Sequence, residues 1–260
     1  MRICYIIWCF LCVISLSAEA QKGKYFEKNV RFPEKVTLEE KVEMAARLVP
    51  TKQQLAWQQL ELTAFIHFGI NTFTGKEQGD GKEFPVMFNP VALDAEQWVK
   101  ALKAGGLKSV VLTAKHHDGF CLWNTRTTDW NIVKSTPYGK DMVAQLSCSA
   151  KKQNMKFGLY FSQALDWANG GSGRRWDPDM NVRTFDEYID EVGIPQIHEL
   201  LSDFGKLDIL WWDMPIEMTP ERAAKYYSAV SQHYNIQKGL IQNDRLVNNI
   251  YCDNRIKPAE

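Results

Sequence analysis

The sequence has no excess of charge of either sign, because its 31 Lys and Arg residues balance its 31 Asp and Glu residues. A chain with no basic face lacks the electrostatic attraction that nucleic-acid binding requires. A chain with no polybasic segment also lacks a charged anchor for a membrane surface. We therefore expect neither a nucleic acid nor a membrane among its partners.

A disulfide pattern is also missing. Three of the six Cys residues lie within the first 12 residues, and the other three are Cys121, Cys148 and Cys252. An odd and widely spaced set is not a disulfide framework, and no Cys-x-x-Cys pair suggests a structural zinc site. We expect these three cysteines to be small buried hydrophobic residues.

A long apolar segment follows Arg2 at the N-terminus and extends from Ile3 to Leu16, before small residues that end at Ala20. This order is typical of a secretory signal peptide, and the segment is too short for a membrane span. We therefore expect residues 1–20 to be a signal peptide that is cleaved near Ala20. Residues 21–260 would then form a secreted or periplasmic domain.

Short apolar segments alternate with helical patterns along the rest of the chain. Five of them have the continuous hydrophobicity of strands buried on both faces of a parallel sheet: Thr63–His67, Leu107–Thr113, Lys156–Phe161, Leu207–Trp212 and Gly239–Gln242. Helical patterns follow near residues 94–105, 141–153 and 184–204 and from residue 219, and the capping box Thr37-Leu-Glu-Glu40 opens a helix before the first strand. This alternation predicts an α/β fold, either a barrel or a doubly wound sheet.

No glycine-rich phosphate loop follows any of these strands, which argues against a nucleotide-binding sheet and favours the barrel. A closed barrel of this type has eight strands, and the sequence indicates only five. We therefore predict a (β/α)8-like barrel of the TIM type that is incomplete at its C-terminus. Residues 21–260 would be its truncated catalytic domain.

Polar and aromatic residues collect directly after the predicted strands. In such a barrel the C-terminal strand ends carry the reacting groups. The residues found there include three of the five His residues of the chain, and the segments are Phe65-Ile-His67, Lys115-His116-His117-Asp118, Tyr160-Phe-Ser162, Trp211-Trp-Asp213 and Asn243-Asp-Arg245. We predict that this edge of the sheet is the functional site.

Asp213 follows an apolar strand, where a carboxylate needs hydrogen-bond donors to stay ionised, as a nucleophile or base does. The alternative from the residues alone is an Asp that caps the following loop. The adjacent His116 and His117 could indicate a metal site, but neighbours on an extended strand point to opposite faces. One ion could bind both only across a bend, and imidazoles that hydrogen-bond substrate hydroxyls fit equally well.

Five segments in order resemble the α-L-fucosidase family, glycoside hydrolase family 29. They are His67-Phe-Gly69, Lys115-His-His-Asp-Gly-Phe-Cys-Leu-Trp123, Gly158-Leu-Tyr-Phe-Ser162 with Asp166-Trp167, Leu210-Trp-Trp-Asp213 and Asn243-Asp-Arg245. The resemblance covers about residues 50–255. It implies a retaining exoglycosidase that acts on fucosylated oligosaccharides or glycoproteins and needs no metal ion or other cofactor.

The resemblance also implies roles for single residues. Asp213 matches the nucleophile that forms a covalent fucosyl-enzyme, and Arg245 matches an Arg near that nucleophile. The residues expected to bind the sugar are His67, His116, His117, Trp123, Tyr160 and Trp211. A retaining mechanism needs a second carboxyl group about 5 Å from the first. The family's acid/base is a Glu after the Asn-Asp-Arg segment, so the candidates are Glu260 or a residue beyond it.

Two other functions are compatible with the same residues. A chain without its acid/base and closing strands would bind fucose at most and would not turn it over. A metal-dependent hydrolase would use His67, His116, His117 and Asp213 as ligands.

Overall fold

The computed structural model of the protein describes residues 30–173, 183–233 and 239–247. The predicted signal peptide at residues 1–20 and the acid/base candidate Glu260 lie outside the described residues. The chain divides into two compact units, residues 1–55 and residues 56–260. In the part of the chain that the structure describes, no helix is both long and apolar enough to cross a bilayer.

The first unit contains helix α1 (Leu38–Ala45), which begins at the predicted capping box. The Thr37 hydroxyl accepts a hydrogen bond from the Glu40 backbone N–H, and the Glu40 carboxylate accepts one from the Thr37 backbone N–H. These bonds satisfy backbone donors that have no partner inside the helix, and they define where it begins. Helix α2 (Lys52–Gln58) follows in the sequence.

The second unit is built around a parallel sheet of five strands. The strands are β1 (Thr63–Ile66), β2 (Ser109–Lys115), β3 (Lys156–Ser162), β4 (Ile209–Asp213) and β5 (Ile241–Gln242). They pair in the order β1-β2-β3-β4-β5, and every pairing is parallel. The predicted α/β class with a parallel sheet is confirmed. Within the described residues the sheet is open, with β1 and β5 at its edges.

Helices connect successive strands. They are α3 (Asn71–Thr74), α4 (Ala95–Ala104), α5 (Met142–Lys152), α6 (Phe185–Tyr188), α7 (Ile194–Asp203) and α8 (Pro220–Ser231), with a 3-10 turn at Pro85–Met87. The side chains of Asp94, Asp141, Thr184 and Thr219 cap the N-termini of α4, α5, α6 and α8. A π-helical turn, Ile189–Gly193, joins α6 to α7, so the predicted helix over 184–204 is one helical segment with a wide turn inside it.

The two faces of the sheet have different surroundings. One face packs into the main core together with buried residues of the helices, and its members include Val110, Leu112, Leu159, Leu210 and Trp212. The other face carries a smaller cluster, formed by Val111, Tyr160 and Ile209 with Trp57, Trp211 and Ile241 packed against it. The prediction of strands buried on both faces is right for β2 and nearly all of β3. It is wrong for β1, β4 and β5, because the smaller cluster leaves parts of these strands accessible.

A buried ion pair lies at the end of β2. The side chains of Lys115 and Asp166 are both fully buried, with Nζ 2.8 Å from Oδ2. Tyr188 and Gln196 accept the other two hydrogen bonds of Nζ, at 2.7 and 2.9 Å. Asn169 donates two hydrogen bonds to the second oxygen of Asp166. The protein tolerates these charges without water because every polar atom has a partner.

The cysteines fall into different environments. Cys121 is buried, as predicted, whereas Cys148 is exposed and the prediction for it is wrong. Cys148 lies on α5, whose buried side carries Met142 and Leu146. Because residues two apart on a helix lie on nearly opposite sides, Cys148 faces away from Leu146 and the core. Cys252 lies outside the described residues.

Candidate active site

Asp213 is the last residue of β4, and three donors hold its carboxylate. The Tyr160 hydroxyl donates to Oδ2 at 2.8 Å, the Met214 backbone N–H donates to Oδ1 at 2.9 Å, and Nη2 of Arg245 lies 2.8 Å from Oδ1. The Asp213 side chain keeps 16% of its surface exposed. The carboxylate is therefore fixed in orientation and still accessible to a molecule at the C-terminal edge of the sheet.

The register of the sheet brings Tyr160 to Asp213. Strand β3 pairs Tyr160 with Trp211 and Ser162 with Asp213, so the side chains of Tyr160 and Asp213 share one face. Burial raises the pKa of the Tyr160 hydroxyl, and the charge of Asp213 raises it further. The hydroxyl therefore keeps its proton and acts as a hydrogen-bond donor to the carboxylate.

Three histidines lie together at the ends of β1 and β2. The ring centroids of His67 and His116 are 4.5 Å apart, and those of His116 and His117 are 4.0 Å apart and stacked. The His116 ring also stacks on Tyr160 at 5.7 Å. His116 and His117 do not point to opposite faces, because β2 ends at Lys115 and the chain turns directly afterwards.

The imidazoles of His116 and His117 are electrically neutral near pH 7. Burial lowers the pKa of His116 to about 3, repulsion from the other two histidines adds to this effect, and the charge of Asp213 opposes it. Burial also lowers the pKa of His117 to about 4, with His67 and Arg245 contributing. Among the described residues, no group of three His, Cys, Asp or Glu side chains is arranged to hold a metal ion.

The hydrogen bonds of Ser162 fix the tautomer of His117. The Ser162 hydroxyl donates to the Leu165 carbonyl oxygen at 2.8 Å, so it has no hydrogen left for the imidazole. His117 Nδ1, which lies 2.8 Å from the Ser162 oxygen, must therefore be the donor. Nε2 of the neutral ring then carries a lone pair that can accept a hydrogen bond from a ligand hydroxyl. In the described chain, Nδ1 of His116 is buried without a hydrogen-bond partner.

The two predicted tryptophans lie in different places. Trp211 is half-buried on the accessible face of β4. Its ring and the Phe65 ring pack edge to face, with their centroids 5.6 Å apart. Trp123 is 1% exposed, belongs to the main core, and donates its indole N–H to Glu199 at 2.7 Å. The predicted residues that the structure brings together are Asp213, Tyr160, Arg245, Trp211, His67, His116 and His117.

Sequence reasoning did not single out Gln163, which follows β3 directly. Its side chain is fully buried, Oε1 accepts the Asp213 backbone N–H at 2.9 Å, and Nε2 donates to the Arg245 carbonyl oxygen at 2.8 Å. Gln163 thus touches the backbone of both members of the Asp213 and Arg245 ion pair. The signal that could have found it is a polar residue directly after a buried strand, the same signal that identified the other strand ends.

Comparisons with known proteins agree on one family. The family model described as alpha-L-fucosidase matches residues 34–260. Alpha-L-fucosidase 1 of Arabidopsis thaliana is 40% identical over 168 residues, which are 64% of this chain and 31% of that protein. The tissue alpha-L-fucosidase of Homo sapiens is 28% identical over 228 residues, which are 76% of this chain and 47% of that protein.

A solved structure shares the fold of the described chain. The alpha-L-fucosidase AlfC from Lactobacillus casei, in complex with its α-L-fucose product, aligns with a TM-score of 0.67 and 27% identity. The alignment covers 79% of this chain and 75% of that one. By contrast, the chain spans about a third of the length of the first plant relatives that it matches.

Proposed function

Because the chain belongs to the α-L-fucosidase family of glycoside hydrolases, we propose that it hydrolyses terminal α-L-fucosides of oligosaccharides or glycoproteins with retention of configuration. The observation that carries this proposal is the Asp213 carboxylate, held by Tyr160 and Arg245 beside neutral imidazoles at the C-terminal edge of the sheet. The α-L-fucose bound to the Lactobacillus casei relative supports the choice of sugar.

The proposed reaction has two displacements at the anomeric carbon of fucose. In the first, an Asp213 oxygen bonds to C1 while the bond from C1 to the aglycone oxygen breaks and an acid protonates that oxygen. In the second, the same group removes a proton from water, the water oxygen bonds to C1, and the Asp213 carboxylate leaves. The two inversions at C1 together give retention of configuration.

The carboxylate that attacks must be oriented and must not be protonated by its neighbours. Tyr160 keeps its proton, because burial and the charge of Asp213 raise its pKa, so it orients Asp213 through a hydrogen bond without transferring that proton to the carboxylate. Arg245 balances the charge of the carboxylate before the sugar bond forms. Both contacts leave an accessible part of the Asp213 surface for the substrate.

The sugar is bound by complementary groups. Neutral imidazoles offer both a donor N–H and an acceptor nitrogen, and this combination matches hydroxyl groups, which also donate and accept. Nε2 of His117 is such an atom, and the rings of His116 and His67 lie beside it. The half-buried ring of Trp211 offers an apolar surface for the C6 methyl group and the ring face.

The acid/base remains assigned to Glu260 or to a residue beyond it, and the same family likeness supports this assignment. We further propose that the parallel sheet is the first part of a (β/α)8 barrel in the domain that begins at residue 21, since its strands follow one another in sequence order without the reversal of a doubly wound sheet. We propose that residues 1–20 direct the chain to the periplasm or the cell exterior and are removed near Ala20.

The test is replacement of the nucleophile. Asp213→Gly should abolish release of 4-nitrophenol from 4-nitrophenyl α-L-fucoside, and added azide should restore it by attacking C1 in place of the carboxylate and forming a fucosyl azide. Asp208→Asn is the matched control, because Asp208 is equally buried at 15% exposure but lies just before the opposite end of β4, beside Lys156. Normal turnover by Asp213→Gly would remove this residue from the mechanism.

A second candidate function is fucose binding without turnover, which the neutral imidazoles of His116 and His117 beside Asp213 would support without an acid/base. Calorimetric titration of the chain with fucose, run beside the turnover assay, separates the two. Binding with no release of 4-nitrophenol supports the binding function, and turnover excludes it.

A further inference from the structure

We propose that Gln163 is a positioning residue that holds the Asp213 and Arg245 ion pair in place through the backbone of both partners. The proposal rests on the proposed function, in which Asp213 is the nucleophile. The Gln163 amide is hydrogen-bonded to the Asp213 backbone N–H and the Arg245 backbone carbonyl oxygen, so it acts by fixing the backbone from which the carboxylate and the guanidinium extend.

Successive N–H groups of a strand point to opposite neighbours. The Trp212 N–H points towards β5, where the Asn243 side-chain oxygen accepts it at 2.9 Å. The Asp213 N–H points towards β3, where Oε1 of Gln163 accepts it at 2.9 Å. The last backbone pairing of β3 with β4 joins Ser162 to Asp213. Gln163 therefore continues the hydrogen-bond ladder with a side chain at the point where backbone pairing ends.

The same amide also reaches Arg245, to whose carbonyl oxygen Nε2 donates at 2.8 Å. Strand β5 has two residues, and its last pair joins Leu210 to Gln242, so Arg245 lies beyond the ladder. The Arg245 side chain is 48% exposed, and packing alone does not fix its guanidinium. A single buried amide thus ties the nucleophile's backbone to that of its ion-pair partner.

Gln163 is itself held in place. The Gln163 side chain has no exposed surface. The backbone carbonyl oxygen of Gln163 accepts a hydrogen bond at 3.0 Å from the hydroxyl of the buried Tyr226 on α8. The position requires one acceptor and one donor in the same side chain, which the amide supplies. Met fills the same space with neither, and an ionised Glu supplies acceptors only.

Covalent labelling of the full chain tests the effect on the nucleophile without needing an acid/base. With 2-deoxy-2-fluoro-α-L-fucosyl fluoride, an Asp213 oxygen bonds to C1, the bond from C1 to fluorine breaks, and fluoride leaves with the electron pair. Intact-mass spectrometry gives the saturating rate constant and the half-saturating concentration. Gln163→Met should lower the rate constant by about 100-fold, the usual effect of a misplacement of about 1 Å, and leave the half-saturating concentration unchanged.

A matched control separates positioning from general loss of hydrogen bonds. Gln145 on α5 donates to the Tyr138 hydroxyl and to the Asp141 carbonyl oxygen, and it lies outside the site. Gln145→Met loses two comparable bonds and should label at the wild-type rate. Equal rates for Gln163→Met and the wild-type chain would overturn the proposal.

A second variant keeps the proposal testable if Gln163→Met does not fold. When protonated, the carboxyl of Gln163→Glu accepts through one oxygen and donates through the other, as the amide does, whereas the ionised form cannot donate. The ratio of its labelling rate to that of the wild-type chain should therefore approach one at acid pH and fall as the pH rises. A ratio that is independent of pH would contradict the positioning role.

The failure of the proposed function has a different signature. If the wild-type chain does not label at Asp213, the nucleophile assignment is wrong, and hydrogen exchange then decides the role of Gln163. The Asp213 amide should exchange at least tenfold faster in Gln163→Met than in the wild-type chain, while the Leu210 amide inside the ladder stays unchanged. Equal exchange at Asp213 would show that Gln163 does not hold it.

Discussion

Replacing Lys115 with Met tests whether the buried ion pair stabilises the end of β2 that carries the histidines. The substitution keeps the apolar stem and removes Nζ, which donates to Asp166, Tyr188 and Gln196 at 2.8, 2.7 and 2.9 Å. Because both charged side chains are fully buried, water cannot replace the lost donor. The Asp166 carboxylate then loses this ion-pair partner, while the two hydrogen bonds from Asn169 remain.

The expected loss of stability follows from this burial. Removing one partner of a buried ion pair costs about 3–5 kcal/mol, because the other charge is left uncompensated. We therefore expect Lys115→Met to lower the free energy of unfolding by about 4 kcal/mol. In the double variant Lys115→Met/Asp166→Asn no charge is left behind, and the Asn oxygen can still accept from Asn169. The double variant should recover at least half of the loss.

Urea unfolding followed by tryptophan fluorescence and circular dichroism measures these differences. Lys134→Met is the control, since its ion pair with Asp129 lies on the surface with 42% and 88% of the side chains exposed. Exposed pairs contribute about 0–1 kcal/mol. The reasoning is refuted if Lys115→Met costs no more than Lys134→Met, or if the double variant is no more stable than the single one.

Two further predictions concern buried groups near the site. Burial raises the pKa of Asp118 to about 7, above the value of about 3.9 in an unfolded chain, so the folded state holds an extra proton between these values. Stability should fall by up to about 4 kcal/mol as the pH rises through this window, and Asp118→Asn should flatten that dependence in urea unfolding; an unchanged slope contradicts the shift. A Cβ on Gly193 would overlap the Tyr226 hydroxyl, so Gly193→Ala should lower the thermal midpoint by about 3–10 °C. Gly69→Ala, where a Cβ meets nothing within 4 Å, should not change the midpoint, and equal midpoints for both variants would show that the helix absorbs the methyl group.

The strands were predictable because continuous apolar runs in this chain are strands of one parallel sheet, but their ends were not. The second run was predicted to stop at Thr113, whereas β2 extends to Lys115. A lysine looks like the end of a buried strand unless its partners are known. Here the partners come from Asp166, Tyr188 and Gln196, which lie 51 to 81 residues further along the chain. Local sequence contains no information about such pairing.

The site was predictable to the extent that parallel strands end at one edge. Reading the residues after each run located Asp213, Arg245 and the histidines. The same reading could not show how the edge is held together, because the contacts of Gln163 depend on the register of β3 and on how early β5 ends. Proximity in a motif is also a weak guide to position, since Trp123 shares a segment with His116 and His117 but donates to Glu199 in the core.

The pair Trp211 and Trp212 explains why register decides the chemistry of this edge. Side chains alternate along a strand, so Trp212 packs fully buried against Tyr226 in the main core, and Trp211 meets Phe65 on the accessible face. Asp213 would follow Trp211 onto that face, beside Tyr160, only in this register. A slip of one residue would turn the carboxylate into the helix-covered core, where it would have neither its donors nor a substrate. The hydrogen bonds of Trp212 oppose such a slip. Its indole N–H donates to the Gln242 side chain at 2.8 Å. Its backbone N–H donates to the Asn243 side-chain oxygen, and its backbone carbonyl oxygen accepts from the Asn243 side-chain amide.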